Sequence, residues 1–143
     1  MKSNPNGFEV NPMPANSAPA APAPTRDPEI THYHAHIYYD PGATRDRAAR
    51  LRERVAAAFP AAILGRWHDA PVGPHPQSMY QIAFPRELLA AFVPWLMLNR
   101  DGLTVLLHPE TGNDYVDHSD HAAWFGAVLP LRLEMFKGAE KNL

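Results

Sequence analysis

The 143-residue sequence contains no cysteine, which removes disulfides, thiolate metal sites and thiol nucleophiles together. It also lacks an excess of charge: 13 basic and 15 acidic residues give a formal net charge of −2. The two signs are interspersed, so there is no basic stripe for nucleic acid and no polybasic segment for an anionic lipid surface. Long apolar runs are missing too. No stretch approaches the roughly 20 apolar residues of a membrane span, and the first residues do not pair a charged segment with an apolar one. These absences predict a cytoplasmic protein with neither nucleic acid nor membrane as a partner. Any metal it holds must be bound by imidazole and carboxylate.

What the chain has in quantity is proline and histidine. Seven of its 16 prolines lie between Pro5 and Pro28, mixed with alanine. Proline fixes φ and removes amide donors, so residues 1–29 read as an extended Pro/Ala-rich tail packing on a surface of the same chain or of a neighbour. At 143 residues, 45% of them hydrophobic, the chain is long enough for one compact core but not comfortably for two, so 30–143 reads as a single domain.

Within that domain, residues 31–39 alternate Tyr33, Ala35, Ile37 and Tyr39 with His32, His34, His36 and Tyr38, the period of two that predicts a strand. Ala48, Leu51, Val55, Ala58 and Phe59 recur at helical spacing over 45–59 among five arginines, whose side reads as a solvated face, and Pro60 stops the run. Strands are predicted at 63–68, 78–84 and 103–108. A second helix is predicted over 86–99, kinked or split by Pro94. Alternating leucines over 128–136 predict one further, C-terminal edge strand near Pro130. The core order is βαββαβ, which predicts an α+β, ferredoxin-like antiparallel sheet with both helices on one face and the other face open. The open face collects His32, His34, His36, Arg66, His68, Gln81, Thr104 and His108. Such a face, with the tail, predicts a homodimer.

The motifs HAHIYY at 34–39, GPHP at 73–76 and HPETGNDYVDHSDHAAWFG at 108–126 resemble those of the DOPA 4,5-dioxygenase family, small bacterial and fungal enzymes that open aromatic rings. The resemblance runs from about His32 to Leu131 and leaves the tail outside. Its most specific element is HPxTG followed by DHxxHAxWxG; HxH alone would be weak. It implies a ferredoxin-like fold and extradiol cleavage of a catechol such as L-DOPA by O2 at a non-haem metal, iron(II) first, with zinc or another divalent metal as alternatives.

That chemistry needs about three protein ligands and adjacent open positions, as in the facial triad of two histidines and a carboxylate. Neutral imidazoles leave the metal enough charge to lower the pKa of a bound catechol, and a histidine titrating near neutrality suits the proton transfer. The ligands implied are His34, His36 and His108, with His75 next in line. His118, His121 and His75 are the acid/base candidates, and Asp117, Asp120 and Glu110 compete for any carboxylate role. Gln81, Arg66 and Trp124 are the substrate-binding candidates, Trp124 doubling as lid or core packing. Each has a plainer reading: His32 and His68 as strand-edge residues, His34 and His36 as polar residues on an open sheet, His75 as an exposed loop residue, His118 as a loop brace. The rival functional class is a non-enzymatic ferredoxin-like module that binds a ligand or dimerises, with a structural metal or none.

Overall fold

The computed structural model describes residues 30–136; the tail at 1–29 lies outside them. Strand β1 (His32–Tyr39) is the centre of the sheet, followed by α1 (Arg45–Ala58), the short β2 (Ile63–Leu64) and β3 (Ser78–Pro85). A single 3₁₀ turn at Arg86–Leu88 leads into α2 (Leu89–Asn99), then β4 (Val105–Pro109), the one-turn helix α3 (Asp114–Asp117) and β5 (Ala123–Phe125). The five strands form one sheet in the order β2-β3-β1-β4-β5, with every pairing antiparallel.

Alternation along the strands sorts the sheet into two faces. Ala35, Ile37 and Tyr39 of β1, Tyr80, Ile82 and Phe84 of β3 and Val105 of β4 form one core. Ala48, Leu51 and Val55 of α1 and Phe92 and Leu96 of α2 close over it. Each helix contributes positions three, four or seven apart, the stripe that faces a core. Pro94 does not divide α2; it lies on the exposed side, where the helix forgoes one backbone hydrogen bond without losing a core contact. The arginines of α1 are also more than a solvated face. The Arg45 guanidinium lies 4.2 Å over the Trp67 ring and Arg52 5.1 Å over Tyr80, while Arg52 donates to the Gly65 carbonyl at 2.6 Å.

Two strands differ from the sequence pattern. Only Ile63 and Leu64 pair regularly with β3; His68 then bridges to Met79 with one extra residue on the β2 side. Gly65 sits in this bulge, and a Cβ there would lie 3.2 Å from the Gln81 carbonyl oxygen, so a side chain at this position would crowd the β3 backbone. The extra strand is not at 128–136. The edge of β4 is taken by β5, with Val105 opposite Phe125, and Pro130 lacks an amide for a ladder. Leu129 and Leu131 instead pack, with Ala122 and Trp124, on Tyr38, Met79 and Leu106. The second face is therefore not open: the chain's own C-terminal segment covers it.

Candidate metal centre

The covered face carries the histidines. His34 and His36 share one side of β1, His34 stands directly across from His108 of β4, and His36 from Gln81 of β3. The Nε2 atoms of His36 and His108 are 3.0 Å apart. Two residues from outside the sheet complete the group. His75, held between Pro74 and Pro76, places its ring 4.2 Å from that of His36, and His118, at the C-terminus of α3, places its ring 4.0 Å from that of His108. His36, His75, His108 and His118 are all buried. Suitable nitrogens of His34, His36 and His108, and again of His36, His75 and His118, lie within 4.8 Å of one another.

Hydrogen bonds orient these rings. The Nδ1 of His108 faces the Pro109 carbonyl at 2.9 Å, that of His118 the Asp114 carbonyl at 2.7 Å, and that of His34 the Glu110 carboxylate at 3.2 Å. An acceptor at Nδ1 keeps the proton there and leaves the Nε2 lone pair free, the arrangement of metal-binding histidines. His75 differs, because its Nδ1 meets the Tyr38 hydroxyl at 2.6 Å. Around them, α3 is capped by Asn113, whose side chain accepts from Val116 N at 3.2 Å. Buried Asp117 accepts from Thr111 N at 2.8 Å and Thr111 Oγ1 at 2.5 Å.

Burial makes every one of these imidazoles hard to charge. Desolvation, then the neighbouring His118, holds His108 down to about 3; desolvation and the same neighbour hold His75 to about 4. His36 falls well below 6.5 through burial and the surrounding His75 and His108, and His34 and His118 are lowered mainly by burial. Glu110 moves the other way, raised by burial and then by Asp114 and Asp117. The cluster is thus a set of neutral donors near pH 7. It also contains an unsatisfied atom: His36 Nδ1 is buried without a hydrogen-bond partner among the described residues. A cation fits this donor set. Two nitrogens bound at right angles to one ion, each at roughly 2.1 Å, are about 3.0 Å apart, the separation of the His36 and His108 Nε2 atoms.

The other candidates are distributed as follows. Gln81 lies beside His36, and Trp124 stacks on Tyr38 with ring centroids 5.9 Å apart. Arg66 is exposed on the bulged connection after β2, and Asp120 is exposed in the loop before β5. His32 is exposed beside Thr31, and His68 is taken up in its bridge to Met79. His121 is not in the cluster. It is exposed, 3.5 Å from Asp117, and lines an apolar groove with Tyr33, Leu107 and Ala123, two of which belong to the helix-side core layer. Tyr38 was not singled out, although its alternation with His34 and His36 puts it on their face.

A five-stranded antiparallel sheet with helices on one side and buried neutral imidazoles on the other defines a small α+β protein built around a histidine-rich candidate metal centre. The chain belongs to the Dopa 4,5-dioxygenase family, which matches residues 33–135. A DOPA 4,5-dioxygenase of Amanita muscaria is 38% identical over 114 residues, covering 75% of this chain and 50% of that protein. An uncharacterized 21.2 kDa protein of Botryotinia fuckeliana is 38% identical over 98 residues, 63% of this chain and 54% of the relative. The chain thus spans about half the length of these curated relatives. Among solved structures, a candidate dioxygenase of Nostoc punctiforme is 52% identical, with a TM-score of 0.72 over 75% of this chain and 91% of that one.

Proposed function

We propose that this protein is a metal-dependent extradiol dioxygenase that opens the ring of a catechol such as L-DOPA with O2. Its ligands are His34, His36 and His108, and its metal is iron(II), with zinc or another divalent ion as the alternative. The single observation that carries the reading is the 3.0 Å approach of the His36 and His108 Nε2 atoms inside a buried cluster, where two neutral imidazoles can make only one hydrogen bond between them. Membership of the family and the named relatives support the reaction class. We also read the fold as ferredoxin-like, with β5 as an addition, on the β2-β3-β1-β4 order of the first four strands and on both helices covering one face.

A cation held by His34, His36 and His108 would keep its positive charge and supply Lewis-acid chemistry that lowers the pKa of a catechol hydroxyl. The remaining work belongs to the protein. His118, whose Nδ1 is tied to the Asp114 carbonyl, offers Nε2 to take the catechol proton. Gln81 and Trp124 bound the space beside His36 and Tyr38. The proton-accepting role falls to His118, with His75 as an N–H donor to the substrate, rather than to His121, whose ring lines the groove on the helix side.

The reading is tested by loading metal-free full-length protein anaerobically with iron(II) and measuring bound metal. Wild type is expected to retain it, and His36→Ala and His108→Ala to lose at least nine-tenths of it by the loss of a central ligand. Oxygen uptake on adding a catechol should appear only in the loaded wild type. Full metal content in both folded variants would refute the ligand assignment.

A further inference from the structure

The histidines form two alternative ligand groups that share His36, and Tyr38 separates them. We propose that the Tyr38 hydroxyl donates to His75 Nδ1, holding His75 as an Nε2–H donor and keeping it out of the ligand set. The proposal rests on the metal-site reading above and assigns Tyr38 as its positioning residue.

A neutral imidazole has one lone pair and one N–H. His75 is buried, and none of the ion pairs among the described residues involves it, so the neutral form is the one to consider. Its contact with Tyr38 at 2.6 Å permits two arrangements. If His75 Nδ1–H donated to Tyr38, the phenolic hydrogen would need another acceptor. Among the described residues His75 Nδ1 is the only partner of that hydroxyl, and Tyr38 is itself buried beneath Trp124, Leu129 and Leu131. The hydroxyl therefore donates, since an unpaired buried O–H is the costlier choice. The Nδ1 lone pair is then engaged and the proton sits on Nε2, which leaves no lone pair for a metal.

His34, His108 and His118 are the reverse case, each with Nδ1 facing an oxygen acceptor. Beside His36, whose Nε2 faces that of His108 at 3.0 Å, the cluster thus contains two kinds of imidazole: three that carry the lone pair on Nε2 and one whose Nε2 carries hydrogen. Withdrawing His75 leaves the His36–His75–His118 group incomplete and His34–His36–His108 intact. It also supplies the site with a fixed N–H donor for an oxygen atom of a bound substrate.

The test is ¹⁵N NMR of the imidazoles in full-length protein labelled at histidine, metal-free and with zinc(II) as the diamagnetic probe. The expected spectrum has the His75 proton on Nε2, Nδ1 shifted as a hydrogen-bond acceptor, and no zinc-induced change at either His75 nitrogen beyond that of an uncoordinated ring. Tyr38→Phe should keep zinc stoichiometry while the Nδ1 acceptor shift is lost and the proton redistributes between the two nitrogens. A proton on Nδ1 in either state, or a zinc-coordinated His75 nitrogen, overturns the proposal. The wild-type spectrum decides this even if Tyr38→Phe folds poorly. No ring cleavage enters the measurement, so absence of dioxygenase activity alongside the expected tautomer would sink the catalytic reading and leave this one standing.

Discussion

Buried imidazoles give the site its pH dependence. An unfolded histidine titrates near 6.5, whereas burial and the neighbouring imidazoles hold His75 at about 4 and His108 at about 3 in the folded chain. Between those values the unfolded state binds more protons, so stability rises with pH. The contribution is fully present above 6.5 and is lost as pH falls toward the folded-state values. Thermal unfolding of the metal-free protein at a series of pH values should give a midpoint that drops steadily below neutrality; a midpoint that rises as pH falls from 6.5 to 4.5 would contradict the assignment. At this scale the sequence is informative where a period fixes side-chain direction. His34, His36 and His108 come together because alternate strand residues share a face. The directions of His75, His118 and His121 depend on loop and one-turn-helix geometry with no such period. His121 thus reads as a site candidate from sequence although its side chain lines the groove, whereas Tyr38 alternates with His34 and His36 but carries no motif that marks it.

Periodic elements were legible and their interruptions were not. β1, β3, β4 and α1 fall close to the ranges that alternation and helical spacing predict, because each has one face against the helix-side core. Leu51, at the centre of the α1 stripe and fully buried, should cost about 2–5 kcal/mol on change to alanine; a denaturant titration showing less than about 1 kcal/mol would place it outside the core. β2 was expected to be longer because nothing in ILGRWHD announces that Gly65 must press against Gln81. The C-terminal strand was misplaced because the alternating Leu129 and Leu131 pack across the sheet rather than extending it. The turn that ends β5 gives a further test at this scale. Gly126 has a φ of 88°, and a Cβ there would lie 3.0 Å from the Arg100 side chain and 3.3 Å from that of Thr104. Gly126→Ala should therefore lower stability by about 1 kcal/mol or more, from left-handed strain and crowding together; a midpoint equal to that of wild type would mean that this turn is not held as described.

In the whole molecule, the two faces of one sheet separate stability from chemistry. Helices α1 and α2 seal the apolar side, while the chain from α3 onward wraps the other and encloses the imidazoles. The sheet face from which a homodimer is expected is covered by Ala122, Trp124, Leu129 and Leu131 of the same chain, and the tail, the other basis of that expectation, lies outside the described residues. Among those residues no helix is long and apolar enough to cross a membrane. The wrapping also accounts for the depth of burial of His36 and His108, which an exposed sheet face would not provide. The central claim is that this enclosed cluster holds a metal for ring opening, and it is tested most directly by one measurement. Full-length protein is loaded anaerobically with iron(II), mixed with L-DOPA and then exposed to oxygen while the absorbance is followed. The account predicts a yellow ring-opened semialdehyde formed by loaded wild type and by neither the metal-free protein nor His108→Ala. Iron retained at the histidines with no ring-opened product from L-DOPA or simple catechols would contradict it.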